Sequence, residues 1–341
     1  ALLLEPTRSN LITYSEAFDN SYWIKSGSSV VGGFVSPDGS TSAFKLVEDT
    51  STGSHLIRRH FTTTASTDYN VSFKIKSDGR QWVYFKQTGL SNAYIFFDVL
   101  NGVVGTINNT ADTTYSNPII SLLSNGYYNV SFTVNTTYSA YYLYLNLSDA
   151  DTSQSYTGDG TSGIYIYAAQ LEIGSYATSY IPTSGGVVTR NQDICNNGGN
   201  EQVINSTEGT MFLDFKKEYN GTALWSINDG TSSNRVYMGF SGSNFISQVR
   251  SGAGSASMQI NTPITNNETY KCAVAYKLND FALYINGVQI GVDVSGASPI
   301  GMLQLSANEG TSASQFYSAT NEVKLYNTRL SNAELQALTT I

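Results

Sequence analysis

Hydrophobic and polar residues alternate with a period of two along several stretches of this chain. In residues 68–76 the apolar positions are Tyr69, Val71, Phe73 and Ile75, and polar residues stand between them. Because successive side chains of a β-strand point to opposite faces of a sheet, this pattern predicts a strand with one buried face.

The alternation recurs in residues 128–134 and in residues 281–290. In the second of these stretches it meets Asn286-Gly287, a pair that tolerates the positive φ angles of a two-residue antiparallel turn. We therefore expect a hairpin there. Similar Asn-Gly and Asp-Gly pairs near other apolar runs predict further antiparallel connections.

Helical patterns are nearly absent before the C-terminus. There, Ser331 and Glu334 form a capping-box pattern that leads into Leu335 and Leu338. This arrangement predicts one short terminal helix.

The clearest break in the pattern follows a strongly apolar strand at residues 163–172. Pro182 and paired glycines come next, as is typical of a linker. With 341 residues, the chain is long enough for two domains that each bury a core. We predict an all-β fold of two consecutive antiparallel β-sandwich (jelly-roll) domains, residues 1–187 and 188–341, with one short C-terminal helix.

The charge distribution excludes several classes of partner. Charged residues make up 13% of the chain and the formal net charge is -8. Adjacent basic residues occur only at Arg58-Arg59 and Lys216-Lys217, so no patch favours phosphate backbones or anionic lipid. The chain has no run of about 18 apolar residues, and its first four residues are too short for a targeting segment. We expect no nucleic acid partner and no membrane insertion.

Cys195 and Cys272 are the two cysteines. They are too few for a disulfide framework and lack the pairing of a zinc site. The sequence is compatible with two alternatives, which are two buried thiols or a single disulfide between these cysteines.

Aromatic residues supply the main candidate binding surface. Sugar rings stack their C–H faces on aromatic side chains while their hydroxyls bond neighbouring amides. Alternation gives residues 141–147 and 164–167 an aromatic face each, and these faces form one wall if the two strands share a sheet. The candidate glycan-binding residues are Trp82, Tyr84, Tyr142, Tyr144, Asn146, Tyr165 and Tyr167. The alternative is that the same rings fill a core or a subunit interface.

Catalysis has no clear marker in the sequence. The two histidines, His55 and His60, lie five residues apart on one predicted strand and face opposite sides, so they cannot share a site; both are expected at a surface or interface. Nucleophile-elbow, zinc-protease and phosphate-loop motifs are absent. We expect a non-enzymatic protein with no catalytic residues, although two carboxylates of a glycan hydrolase need only converge in space.

The first half of the chain resembles a module that recurs in tailed-phage virion proteins. The resemblance covers most of residues 1 to 190 and is carried by Leu2-Leu-Leu-Glu-Pro-Thr-Arg-Ser-Asn10, Ser36-Pro-Asp-Gly39, Tyr156-Thr-Gly-Asp-Gly-Thr-Ser-Gly163, Ala169-Gln-Leu-Glu172 and Tyr176-Ala-Thr-Ser-Tyr-Ile-Pro-Thr183. It implies a carbohydrate-binding-module-like jelly roll of the kind found on tail fibres and head decorations. In such proteins the Leu-Glu-Pro phrase follows further upstream sequence, so we expect a missing start.

The second half resembles the concanavalin A-like or laminin G-like sandwich. The resemblance is carried by Glu208-Gly-Thr-Met-Phe-Leu-Asp-Phe215, Tyr284-Ile-Asn-Gly287 and the closing residues 322–335. Lectins, enzymes and structural modules share this fold, so it implies little chemistry by itself.

Both sandwich types resemble calcium-bearing relatives, which makes the acidic residues candidates for a structural calcium site. The cluster in residues 149–159 begins like an EF-hand loop but has Gln154 where glycine is needed and Gly160 where glutamate is needed. The remaining candidate ligands are Asp149, Asp151 and Asp159, or else Glu172 with Glu48 or Asp49. The alternative is a solvated loop with turn-forming aspartates, and we expect no other cofactor.

Together these features predict a phage virion surface protein, a fibre or appendage, that adheres to host cell-surface polysaccharide through many weak contacts. The expected location is the virion surface, outside the cell, with other virion proteins and further copies of the chain as partners. The resemblance implies a homotrimer. A capsid or tail decoration protein without glycan binding is one alternative, and a polysaccharide depolymerase is another.

Overall fold

The computed structural model describes residues 2–87, 92–252, 256–311 and 313–341. The strands of residues 2–87 are β1 (Leu2–Leu3), β2 (Arg8–Asn10), β3 (Ile24–Ser26), β4 (Ser28–Phe34), β5 (Ala43–Glu48), β6 (Thr52–Gly53), β7 (Leu56–Thr62), β8 (Asp68–Asp78) and β9 (Trp82–Lys86). The strands of residues 92–190 are β10 (Tyr94–Asp98), β11 (Val103–Asn108), β12 (Thr113–Leu122), β13 (Tyr128–Thr136), β14 (Ala140–Ser148), β15 (Tyr156–Thr157), β16 (Gly163–Ile173) and β17 (Val188–Arg190).

The later described residues continue the all-β pattern and end in a helix. Their strands are β18 (Glu208–Lys216), β19 (Thr222–Asn228), β20 (Arg235–Ser241), β21 (Asn244–Arg250), β22 (Ala256–Pro263), β23 (Thr269–Lys277), β24 (Asp280–Ile285), β25 (Val288–Asp293), β26 (Gln304–Ser306) and β27 (Ala319–Tyr326). The helix is α1 (Asn332–Thr339), and Ser124–Gly126 form one turn of 3-10 helix. Within the described ranges, no helix has the length and apolar character needed to span a membrane.

The chain divides into two compact units. The first unit is Thr7–Arg190, and the second contains residues 2–6 together with Asn191–Ile341. The predicted domains were residues 1–187 and 188–341. The structure instead moves residues 2–6 to the second unit and extends the first unit to Arg190. β1 pairs with β27 and so joins the second unit, while β17 pairs with β2 and so stays in the first. Short extended segments carry too little pattern for the sequence to show which sheet edge they join.

The first unit is a sandwich of two antiparallel sheets. The front sheet has the strand order β11-β10-β9-β14-β7-β3, and the back sheet has the order β12-β13-β8-β16-β5-β4. The core between them contains the apolar face of β8, including Val71 and Phe73, together with Phe85, Phe132 and Leu145. The apolar faces predicted for residues 68–76 and 128–134 do lie in the core, but the opposite faces are not solvated throughout, because Asn70, Ser72, Ser131 and Thr133 are also buried.

The second unit is also a sandwich of antiparallel sheets, ordered β1-β27-β18-β23-β24-β25 and β22-β21-β20-β19-β26. The predicted hairpin is confirmed, because β24 pairs with β25 and the turn residues Asn286 and Gly287 have φ angles of 49° and 77°. Both cysteines are free: Cys272 is buried, and Cys195 is half-buried. The structure has no disulfide between Cys195 and Cys272. The predicted buried thiol is present at Cys272 but not at Cys195.

The predicted C-terminal helix and its capping box are confirmed. The Ser331 side chain accepts from the Glu334 N–H, and the Glu334 carboxylate accepts from the Ser331 N–H. Leu335 of α1 packs on the outer face of the larger sheet, against Phe212, Ala273 and Tyr284. The helix thereby buries a sheet face that would otherwise be apolar and solvated.

Candidate functional site

The outer face of the front sheet carries most of the predicted aromatic residues. On β14, Tyr141, Leu143 and Leu145 point into the core, so Tyr142 and Tyr144 point outward. The period-two prediction for this strand is correct.

Strand register places a second set of residues beside these tyrosines. Arg58 pairs with Tyr144 across β7 and β14, Tyr144 pairs with Lys86 across β14 and β9, and Lys86 pairs with Tyr94 across β9 and β10. We call Arg58, Tyr144, Lys86 and Tyr94 the transverse row. Because directly paired residues point to the same face, this row crosses four adjacent strands, a span of about 14 Å.

The side chains around the transverse row contact one another closely. Arg58 Nη1 donates to the Tyr144 hydroxyl over 2.7 Å, and the guanidinium carbon lies 5.2 Å from the centre of that ring. The exposed His60 ring lies 4.2 Å from the Tyr142 ring, centre to centre. These contacts hold the rings in fixed orientations, which reduces the entropy cost of binding a ligand.

A loop covers another part of the same face. We call residues 149–155 the cover segment. The Tyr84 hydroxyl donates to the Gln154 carbonyl over 3.2 Å, and Lys86 Nζ donates to Gln154 Oε1 over 3.1 Å. At the far side, Asp151 accepts from the Thr106 N–H and hydroxyl.

Three predicted residues of this face are buried, and the cover segment contacts one of them, Tyr84. Tyr144 is 8% exposed. Tyr84 is 0% exposed and Asn146 is 1% exposed. Burial raises the pKa of Tyr84 to about 12, and the Asn146 amide donates to the carbonyls of Tyr84 and Tyr144. Trp82 remains half-buried on β9. Tyr84 and Asn146 are therefore buried structural residues and are not available to contact a ligand.

Tyr165 and Tyr167 lie on the back sheet, so the single wall across all seven predicted residues does not form. Tyr167 is 5% exposed, and its hydroxyl donates to Asp38 Oδ2 over 2.8 Å. Tyr165 packs against Phe34 with ring centres 4.8 Å apart. The alternation identified the face of each strand correctly but held no information on which sheet each strand joins.

Tyr165 borders a separate shallow cavity of about 190 Å³ with Phe34, Lys76 and Tyr127. The second unit has a polar cavity of about 300 Å³ lined by amide and hydroxyl side chains that include Asn196, Gln304 and Ser306. No aromatic ring lines this second cavity, so it lacks the stacking surface that the front sheet offers.

The front face carries cations at Arg58, His60 and Lys86 and a carboxylate at Asp151, which is bound to Thr106. Burial lowers the pKa of Lys86, and burial together with the charges of Arg58 and Arg59 lowers the pKa of His60. Residues Arg58, His60, Lys86 and Tyr94 were not among the predicted site residues. Arg58 and His60 stand two residues apart on β7 and so share a face, but only the register of β7, β14, β9 and β10 shows that they stand beside the tyrosines.

The candidate calcium ligands do not assemble. Within the described part of the chain, no three His, Cys, Asp or Glu side chains group in a way that would hold a metal ion. Asp159 accepts from Thr161 and Ser162, Glu172 accepts from Thr178, and Asp149 is exposed. Calcium binding stays a prediction that melting with and without a chelator tests.

The histidines lie apart, as the alternation predicts. His60 is on the exposed front face, whereas His55 is 0% exposed and its Nδ1 lies 2.6 Å from the Gly27 carbonyl. The expectation that both are surface or interface residues is wrong for His55. The expected absence of catalytic residues stays a prediction.

The described residues form two antiparallel β-sandwiches, and the first carries an aromatic face with cationic side chains. Residues 210–336 match a family model described as the Concanavalin A-like lectin/glucanases superfamily. This match confirms the resemblance stated for the second half. No curated protein matches the chain.

The solved structures that match this chain include two with low sequence identity. The CBM40 of the Ruminococcus gnavus IT-sialidase, bound to alpha2,3 sialyllactose, is 18% identical, with a TM-score of 0.36, and the match covers 43% of this chain and 95% of that chain. Domains LG4-5 of the mouse laminin alpha1 chain are 10% identical, with a TM-score of 0.30, and the match covers 96% of this chain and 92% of that chain.

Proposed function

We propose that the first unit binds a saccharide on the outer face of its front sheet, and that the protein is a non-enzymatic adhesin. The observation that carries this proposal is the transverse row, in which tyrosines and hydrogen-bond donors alternate across adjacent strands. The Tyr142 and Tyr94 rings, both half-buried, offer faces for stacking, while Arg58 and Lys86 offer donors for hydroxyl groups.

Residues 210–336, which lie in the second unit, match the Concanavalin A-like lectin/glucanases superfamily. This match supports saccharide binding by the chain, whereas the position of the site rests on the transverse row alone. The setting on a phage virion appendage rests on the resemblance of residues 1 to 190 and is part of the proposal. So are the homotrimer, the contacts with other virion proteins and the location outside the cell. Repeated copies would add weak contacts through effective concentration.

Tyr142→Ala tests the site. We expect its affinity for the saccharide identified by a glycan array to fall about tenfold or more, because a stacking surface is lost. Isothermal titration calorimetry on the full chain measures this change.

Tyr165→Ala is the matched control, since it removes an equally half-buried ring from the back sheet. It should change the affinity less than twofold. If Tyr165→Ala abolishes binding and Tyr142→Ala does not, the site is on the back sheet. If no array glycan binds the wild type, the proposed function is wrong.

A further inference from the structure

We propose that the saccharide is acidic, with its anionic group held between Arg58 and Lys86. The inference rests on the proposed function of the same face and specifies the class of ligand.

The first observation is that the cations of this face have no acidic partner. Arg58 makes its hydrogen bond to Tyr144, and Lys86 makes its hydrogen bond to an amide oxygen of Gln154. Within the described residues, neither side chain forms an ion pair. By contrast, Lys45 on the back sheet pairs with Asp78 over 2.6 Å.

The second observation is the charge of the surroundings. The whole chain carries a net charge of -8, yet the charges that act on His60 come from Arg58 and Arg59. Arg58 and Lys86 form no ion pair within the described residues, so they raise the electrostatic potential locally in an acidic protein. Such a place attracts anions.

The third observation is geometric. Arg58 and Lys86 flank Tyr144 on the two adjacent strands, which puts their backbones about 10 Å apart. With side chains of this length, both charged groups reach a substituent of a sugar ring that lies over the row. Arg58 Nη1 donates to Tyr144, and the guanidinium has further N–H groups that can donate to a carboxylate.

The fourth observation concerns solvation. Lys86 is half-buried, and burial lowers its pKa because its charged form loses water. An anion at this position would restore the lost stabilisation. A bound acidic group would therefore stabilise the charged form of Lys86.

The experiment is a glycan array of neutral, carboxylated and sulfated oligosaccharides probed with the full-length chain. We expect the bound glycans to be acidic. Titration calorimetry then compares the tightest carboxylated glycan with its carboxyl-reduced form, and we expect reduction to weaken binding about tenfold or more, as for a lost charge-assisted hydrogen bond.

Variants locate the anionic group. Arg58→Gln and Lys86→Gln should each weaken binding of the acidic glycan about tenfold, and Lys76→Gln on the back sheet should change it less than twofold. Arg58→Lys keeps the charge and should retain part of the affinity. In the wild type, binding should weaken as sodium chloride rises, since salt screens charges.

Each outcome separates the two proposals. Binding to neutral glycans that withstands carboxyl reduction, salt and both glutamine variants overturns the acidic class and leaves the proposed function intact. Selective binding of sulfated glycans supports the site for an anionic group and identifies that group as a sulfate rather than a carboxylate. If no glycan binds, both proposals fail.

Discussion

At the residue scale, the carboxylate of Glu48 shows how a buried charge is held in this protein. Its side chain is 0% exposed. It accepts from Arg80 through two nitrogen atoms, from the Tyr156 hydroxyl over 2.6 Å and from the Asp159 N–H over 2.8 Å. Burial raises the pKa of Glu48, but these bonds outweigh it and hold the pKa below its ordinary value of 4.5.

Arg80→Gln should destabilise the first unit by about 3 kcal/mol at pH 7, because it leaves the Glu48 carboxylate buried without its cation. The deficit should shrink on acidification. A lowered folded-state pKa adds stability above pH 4.5, the ordinary value, and this stability is lost as the pH falls through the folded-state pKa. Urea unfolding from pH 7 down to pH 3 measures the difference.

Lys324→Gln is the control for this comparison. It breaks an ion pair with Glu322 whose side chains are 41% and 47% exposed, so it should cost at most about 0.5 kcal/mol. A deficit for Arg80→Gln as small as the control's, or one that is the same at every pH, would contradict the assigned role.

At the element scale, the segment from Tyr156 to Gly163, which precedes β16, is held against β5 by hydrogen bonds. Asp159 accepts from the N–H groups of Thr161 and Ser162, and its own N–H reaches Glu48. A Cβ on Gly163 would lie 1.9 Å from the Leu46 carbonyl oxygen. The glycine is needed because two backbones approach closely at this point.

Gly163→Ala should therefore destabilise the first unit by about 1 to 3 kcal/mol, since β16 or β5 must shift to accept the methyl group. Gly186→Ala is a matched control, because a Cβ there meets nothing within 4 Å. Thermal melting of both variants tests the claim, and equal melting temperatures would refute it.

The sequence predicted some strands of this unit well but did not predict the contacts of its loops. Alternation identified β8 and β13 together with their buried faces, because hydrophobic burial acts on each strand separately. The acidic run in residues 149–159 was interpreted as a candidate calcium loop. Asp159 accepts from Thr161 and Ser162 in its own turn, whereas Asp151 accepts from Thr106, a residue distant in sequence. Only the second contact depends on how separate segments pack.

The candidate site has the same limit. Tyr142 and Tyr144 were predicted on one face from local pattern, and they share that face. Arg58, Lys86 and Tyr94 join them through pairing between strands separated by up to 86 residues, as for Arg58 and Tyr144. Register is set by the packing of the complete sheet, so one strand's sequence does not contain it.

At the scale of the whole molecule, each unit has its own core, and the second unit includes residues from the beginning of the chain. Leu4 is 6% exposed and packs in the core of the second unit with Phe215, Trp225 and Phe316. Sequence alone assigned it to the first half, because it belongs to the phrases that carry the first-half resemblance.

Leu4→Ala should destabilise the second unit by about 2 to 4 kcal/mol, as other buried leucine truncations do. Hydrogen exchange with mass spectrometry should show faster exchange in peptides from residues 191–341 and unchanged exchange in residues 7–190. Faster exchange confined to residues 7–190 would place Leu4 in the other core.

The pairing of β1 with β27 also constrains how the protein is made. Leu2 lies opposite Thr320, so β1 waits for its partner while the residues between them are translated, on the order of tens of seconds. During that interval Thr7–Arg190 has all its strands and can complete both sheets. Until the last sheet edge emerges, Leu4, which is 6% exposed in the folded chain, lacks the core in which it packs.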